Sequence, residues 1–531
     1  MAASPIRLRR HARRLLALAL LAGCAPVGPN HQPPTAPWSP VSWLIGHKPP
    51  KPAPKQPPPS VPTEAPVDPA WWSLFHDAEL TKLEGRVAAG NLDVQIAGER
   101  LRESRATLGV AEAEGLPNVE ATAAGSRQLI SKKGVLSLAG SGSSSVPSPN
   151  TSGAGAVPNS GSTGIFQPFN LFQAGFDATW EIDFWGHARR GVEAAQANAA
   201  AAGEAQRGVL LGALAEVARD YVALRGVQRN EEIVERNLET AQKALALTQQ
   251  RAAGGLTTDL DVANAAALVA TIESQMPALE GQRDDLIDAI ALLLGEPPNA
   301  LTAELITATP IPPVPPRVPV GLPSELARRR PDIREAEASL HAATAEIGVA
   351  VADFYPRITL TGSIAIQATQ LKDLGNWGQA DTWAFGPSLS LPIFEAGRLN
   401  RTLDLRKEQQ QEAAIAYRRA VLGAMHEIDT SLTDLAAGQR KRESLRVAVE
   451  QNRRALALAQ ERYADGVADF LAVLDAQRNL LAAEQQFTDS TTAIATAMVS
   501  LYKALGGGWE TTLPETPPPP EPPMSLDTLL E

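Results

Sequence analysis

Histidine and cysteine, the side chains that most often act as nucleophiles, metal ligands or neutral-pH proton carriers, are few in this chain, and their spacing argues against catalysis. The seven histidines, His11, His31, His47, His76, His187, His341 and His426, are scattered singly. None sits at metal-ligand spacing with a cysteine or carboxylate motif, so no metal site is expected. No glycine loop follows a strand in a way that would cradle phosphate, and Gly506-Gly507-Gly508 reads as a helix stop. Cys24 is the only cysteine. A lone cysteine in an exported chain cannot form an internal disulfide, so covalent modification is the chemistry left to it.

Export is written in the first residues. Arg7, Arg9, Arg10, Arg13 and Arg14 precede the apolar run 15–22, long enough for a secretory signal and too short to span a bilayer. The run closes Leu21-Ala22-Gly23-Cys24, which resembles the lipobox of bacterial lipoproteins, where cleavage leaves the cysteine acylated at the new N-terminus. Residues 1–23 then form the signal peptide. Cys24 is the expected lipid attachment site, and no other cofactor is expected. By the same resemblance, Ala25 in place of an aspartate favours the outer membrane. The formal net charge is −11, and removing the arginine-bearing leader leaves −16, a balance unsuited to nucleic acid.

An internal repeat must position everything else. Residues 244–275 and 455–486 are identical at 13 of 32 positions without a gap, at an offset of 211 that also aligns Leu294-Gly295 with Leu505-Gly506. Such a period is far too long for a solenoid unit. Each copy sits in a long stretch rich in Ala, Leu, Gln, Glu and Arg, roughly 187–253 and 399–464. At 1.5 Å per residue each helix spans about 100 Å. Each turns at Gly254-Gly255 or Gly466 into a returning helix ending near Gly295 or Gly506.

Ahead of each long helix lies a strand pair. Phe172, Ala174, Phe176, Ala178, Trp180, Ile182 and Phe184 alternate with Gln173, Gly175, Asp177, Thr179, Glu181 and Asp183. This period-two pattern fits a half-buried soluble strand and equally a membrane strand with a wet inner face. Its partner is placed within 119–129, across a Gly/Ser/Pro-rich loop at 131–164. The second half offers strands 358–367 and 383–393 after a helix over 324–353, with Pro387 weakening the last strand. Four strands cannot close a barrel, and an open edge in hydrocarbon leaves amides unsatisfied, so a membrane location requires an oligomer.

The expected organisation is a lipid-anchored Pro-rich tether (24–70), a first repeat (71–298; strand hairpin about 117–185, tip near 255), a linker (299–323), a second repeat (324–508; strand hairpin about 356–394, tip near 466) and a Pro-rich disordered tail (509–531).

At this point the sequence resembles the TolC-like outer-membrane factors of efflux pumps, in the lipoprotein branch called NodT- or OprM-like. The resemblance rests on GLPSELARRRPDIREAEASLHAATAEIGVAVADFYPRITLTGS at 321–363, VGPNHQPP after Cys24, WWSLFHDAEL at 71–80, WEIDFWGHARR at 180–190 and RYADGVADFLAVLDAQR at 462–478. It implies an α+β membrane protein: a homotrimer with one twelve-stranded transmembrane β-barrel, four strands per protomer, continued by a barrel of long helical hairpins in the periplasm. Its implied partners are a periplasmic adaptor protein, an inner-membrane RND-type transporter and outer-membrane lipid. The implied activity is passive conduction of drugs or other small molecules to the exterior. Further implications are adaptor docking at Gly255, Leu256, Gly466 and Val467, and a periplasmic gate of Leu471, Asp475, Arg462 and Tyr463. Trp185 and Trp383 fit interfacial aromatic belts and equally ordinary packing. The rival readings are a type I polypeptide secretion conduit and a non-conducting structural or adhesive surface lipoprotein.

Overall fold

The computed structural model describes residues 26–33, 61–63, 68–129, 168–315, 317–319, 329–375 and 377–513. Cys24, the leader, most of the tether, the loop at 131–164 and the tail beyond 513 lie outside them. The strands are β1 (Val61–Thr63), β2 (Asn118–Gln128), β3 (Phe169–Glu181), β4 (Arg317–Pro319), β5 (Arg357–Ala368) and β6 (Asp381–Ser390). The main helices are α1 (Ala78–Gly90), α2 (Leu92–Glu114), α3 (His187–Ala253), α4 (Asp259–Glu273), α5 (Met276–Leu293), α6 (Pro331–Ala352), α7 (Arg398–Ala464) and α8 (Phe470–Ala504). Among the described residues no helix is long and apolar enough to cross a membrane.

Two compact units result, and each takes material from both repeats. Among the described residues, one falls within Met1–Asn30, Thr107–Ala195 and Thr344–Glu408, and the other within His31–Ala106, Gln196–Ala343 and Gln409–Glu531.

The first unit is built on an antiparallel sheet in the order β2-β3-β5-β6, in which the hairpins of the two repeats meet along β3 and β5. Pro117 and Pro356 precede β2 and β5 and push the chain out of helix into extended backbone. β6 ends at Ser390, earlier than the pattern predicts, and Pro387 lies within this edge strand opposite Leu360, a position where proline is tolerated.

The second unit is helical. Trp71, Phe75, Leu80, Leu214, Tyr221 and Tyr502 belong to one buried cluster; Ile233, Leu268, Leu456, Phe470 and Leu474 belong to another. Trp71 stacks on Tyr502 at 5.4 Å. Asp77 caps α1 by accepting from the Glu79 and Leu80 amides, and it also accepts the Tyr221 hydroxyl at 3.0 Å. The WWSLFHDAEL motif is therefore a packing and capping device. Arg330, buried before Pro331, donates to Asp332 at 2.7 Å, Glu427 at 2.8 Å and the Ala504 carbonyl at 2.7 Å. A guanidinium at the carbonyl end of α8 also complements the helix dipole.

Several boundaries differ from the sequence expectation. The helix expected from 324 begins at Pro331, whose fixed φ and missing N–H suit the first helical position. Ahead of the first hairpin, two helices, α1 and α2, are parted at Asn91. The first returning limb breaks at Ser274-Gln275 into α4 and α5, whereas α8 is continuous. Pro277, at the start of α5, explains the break, because the equivalent position in the second repeat is Thr488. The segment expected to be a free tether contributes β1, which pairs in parallel with β4 of the linker. Extended backbone carries unpaired amides and carbonyls that a neighbouring extended segment satisfies. Likewise Trp509 is buried at 2% exposure and Leu513 packs beside it, so residues 509–513 belong to the core and not to a disordered tail.

Glu84 is the odd residue of this core. It is 1% exposed, neither carboxylate oxygen has a hydrogen-bond partner, and desolvation pushes its pKa well above the ordinary carboxylate value of 4.5. Because the folded state holds the proton more tightly than the unfolded chain, the stability of the protonated form is complete below pH 4.5 and declines as pH rises toward the folded pKa. Glu84→Leu is therefore expected to raise stability at neutral pH by about 1–3 kcal/mol. Denaturant unfolding of both proteins from pH 4 to 9 should show the gap widening with pH.

Candidate functional site

The alternation along the four strands sorts the sheet into two chemically different faces. Register places Val119 opposite Ala178, Phe176 opposite Ile364, Ile364 opposite Trp383, and Gly362 opposite Phe385. This face is apolar across all four strands and stays open: Phe176 is 56% exposed, Trp383 67% and Phe385 76%. A continuous apolar surface of this kind marks a partner or lipid face. The opposite face carries Glu120 against Asp177, Asp177 against Ser363, and Thr179 against Thr361. Thr122 donates its hydroxyl to Asp177 at 2.9 Å there. Gly175 is required at its place, since a Cβ would lie 2.4 Å from the Ile364 carbonyl oxygen.

The two tryptophans expected at interfacial belts, Trp185 and Trp383, have different surroundings. Trp185 donates its indole N–H to the Pro356 carbonyl at 2.9 Å and stacks on Tyr355 at 4.7 Å, so it packs the start of β5 against the end of β3. Trp383 stands on the open apolar face, stacked on Phe385 at 5.9 Å.

Residues just after Cys24 are tied down on the first unit. The Val27 amide donates to the Trp185 carbonyl at 2.9 Å. Arg190, 3% exposed, donates to the Asn30 side chain at 2.6 Å and the Val27 carbonyl at 3.3 Å. Gly28 has φ +92° and approaches Gly348 so closely that a Cβ would meet its Cα at 2.6 Å. Asp183 accepts the Gly186 and Arg189 amides at 2.7 and 2.9 Å, which starts α3. WEIDFWGHARR is thus the joint between strand, helix and N-terminal segment. The VGPNHQPP segment also brings His31 onto His341, stacked at 4.4 Å, a pairing that the scattered histidines did not reveal. Among the described residues no group of three or more His, Cys, Asp or Glu could hold a metal.

The helix tips repeat one geometry. After α3, Gly255 adopts φ +71° while the Leu256 amide bonds the Arg251 carbonyl at 2.9 Å; after α7, Gly466 adopts φ +73° while the Val467 amide bonds the Arg462 carbonyl at 2.9 Å. These are left-handed helix stops that glycine makes without strain. Leu256 and Val467 project from them at 73% and 66% exposure. Thr258 and Asp261 form a reciprocal capping box that starts α4.

Tyr463 and Arg462, adjacent in sequence, do different things. Tyr463 is buried, with its ring 5.2 Å from Phe470 and the Arg251 guanidinium over it at 4.6 Å; Arg251 also donates to the Tyr463 carbonyl at 2.7 Å. The arginine retained in the first repeat therefore serves the tyrosine found only in the second. Arg462 is exposed. Leu471 and Asp475 share the exposed face of α8, opposite Phe470, Val473, Leu474 and Gln477, with Leu471 at 57% exposure. The 211-residue offset adds a residue that sequence reading passed over: Leu260, 68% exposed at the corresponding place on α4, with Asn264 in place of the aspartate.

Comparison with known proteins agrees with this geometry. Residues 84–296 and 322–507 match the outer membrane efflux protein family. The chain is 34% identical over 441 residues to the pyoverdine export outer membrane protein OpmQ of Pseudomonas aeruginosa, covering 83% of this chain and 87% of that one. It is 30% identical over 491 residues to nodulation protein T of Rhizobium leguminosarum bv. trifolii, covering 92% and 96%. Among solved structures, the outer-membrane channel OprN superposes with a TM-score of 0.78 at 30% identity, covering 91% of this chain and 99% of that one. The chain belongs to the outer membrane efflux protein family and is an outer-membrane efflux channel component.

Proposed function

We propose that three copies close one twelve-stranded barrel through which small molecules leave passively, handed on by a periplasmic adaptor and an inner-membrane RND-type pump. The observation that carries this reading is the two-faced sheet with β2 and β6 as unpaired edges. Each amide left open in hydrocarbon costs several kcal/mol, and pairing β6 of one copy with β2 of the next removes every edge. The alternation β2-β3-β5-β6 leaves β6 antiparallel to an incoming β2, as a closed barrel needs. The apolar face then meets lipid, and the face with Glu120, Asp177 and Ser363 lines a wet pore.

Leu256 and Val467 offer apolar contacts to the adaptor at the tips, with Gly255 and Gly466 setting the turns. Leu471 and Asp475, brought together by threefold symmetry, form the periplasmic gate. Tyr463 and Arg251 brace the helix ends beside it, while Arg462 faces outward toward a neighbouring chain. Acyl chains on Cys24 contribute about 0.8 kcal/mol per buried methylene to anchoring.

The test is chemical cross-linking and planar-bilayer recording of the purified mature protein. Trimers with unitary conductance steps are expected, and folded monomers without conductance would overturn the reading. For the anchor, Cys24→Ser is expected to lose the lipid mass seen on the wild-type N-terminal peptide and to release protein from washed membranes more readily.

A further inference from the structure

The helical unit contains a cleft of about 740 Å³ that the channel reading leaves without a role. It opens between Arg229–Arg236 of α3, Ala308–Ile311 of the linker, Arg442–Arg453 of α7 and Glu484–Thr491 of α8. Five arginines line it, at 229, 236, 442, 446 and 453, against three glutamates. Arg229 pairs with Glu232 at 2.5 Å, Arg453 with Glu484 at 2.5 Å, and Arg446 with Glu450 at 3.5 Å. Among the described residues no carboxylate pairs with Arg236 or Arg442.

Arg442 is the more telling of the two. It is half-buried, its Nε donates to the Thr491 hydroxyl at 3.0 Å, and its guanidinium lies 5.3 Å from the Phe487 ring centre. A guanidinium has five donors, and a carboxylate is the partner that satisfies them most strongly. Ile233, Val449 and Ile311 add apolar lining. The cleft therefore suits an acidic chain that also carries aliphatic side chains.

Such a chain is at hand. Residues 514–531, PETPPPPEPPMSLDTLLE, carry Glu515, Glu521, Asp527 and Glu531 with no lysine or arginine, and they include Leu526, Leu529 and Leu530. Leu513, from which this segment departs, packs against the same core cluster as Ile311 of the cleft wall. From Ala504 back to Phe487 along α8 is on the order of 25 Å. An extended proline-rich segment covers about 3.1 Å per residue, so this one reaches on the order of 50 Å.

We propose that the acidic segment 514–531 binds in this arginine cleft, its carboxylates on Arg442 and Arg236 and its leucines against Ile311, Val449 and Phe487. Proline restricts the unbound segment and lowers the ordering cost of docking. The inference is independent of the gate and of the barrel.

The experiment uses the full-length protein purified in detergent, in whatever oligomeric state it adopts, and a fluorescein-labelled peptide of residues 514–531, read by anisotropy. The chain ended after Leu513 is expected to bind the peptide saturably, with affinity falling as salt rises. Adding Arg236→Glu and Arg442→Glu to that chain should weaken binding by at least about tenfold. The uncut protein should bind it several-fold more weakly, because its own segment competes. Oligomeric state and bilayer conductance of each variant report folding separately from docking. Absence of binding to the folded truncated protein, or equal binding by the doubly substituted protein, overturns the proposal. Equal binding by cut and uncut chains also overturns it, since the cleft would then be open to an acidic partner from elsewhere.

Discussion

Replacing Leu471 and Asp475 together by alanine is expected to raise the open probability of the channel in planar bilayers at least about tenfold, equivalent to about 1.4 kcal/mol of lost closed-state preference. Leu471 lies on the outer face of α8, away from the buried row Phe470, Val473, Leu474 and Gln477. Its removal leaves each protomer's core untouched, and substitutions at such positions rarely change stability by more than about 0.5 kcal/mol. Any functional effect then reports contacts between copies. The ring of aspartates in the proposed gate would attract cations, so the same variant should also lose cation preference, measured as a shift in reversal potential under a salt gradient. Asp475→Asn alone should reduce selectivity while leaving the channel mostly closed. Unchanged conductance and selectivity in the double variant would place the constriction on other residues, Leu260 being the first to test.

The second large effect concerns the strands. Ile364→Arg sets a cation on the apolar face, between Phe176 and Trp383, whereas Ser363→Arg sets the same cation on the polar face beside Asp177. Arginine facing lipid at mid-bilayer costs about 2–4 kcal/mol per site, and every copy carries one. Ile364→Arg is therefore expected to abolish heat-stable trimers in the outer membrane. Ser363→Arg should assemble normally and shift selectivity toward anions. Equal tolerance of both would mean that the apolar face does not meet lipid.

The long elements were legible because their signals are periodic and uninterrupted. β3 declares itself by alternation over thirteen residues, and the helix tips by glycines repeated at one offset. Boundaries set by a single residue against its tertiary surroundings were harder to read: the helix start at Pro331, the break before Pro277, and β1 within a run of prolines. The site divides in the same way. Gly255 and Gly466 stand where their local geometry predicts, since a left-handed stop is a property of the chain itself. The clasp of Arg251 on Tyr463 joins residues 212 apart, and nothing local announces it. Leu260 could have been found by applying the repeat offset to Leu471, and Glu84 is visible as a lone carboxylate on the apolar stripe of α1.

The interruption at Ser274-Gln275 gives the two hairpins unequal mechanics. Bending a continuous helix such as α8 means lengthening hydrogen bonds along its ladder, whereas a limb from whose ladder Pro277 has already removed a donor bends at lower cost. If the proposed gate opens by dilation, the second hairpin is therefore expected to move as a stiff lever and the first to bend at its joint. Threefold closure would then set stiff and jointed staves alternately around the mouth, in the manner of an iris whose blades turn on every second pin.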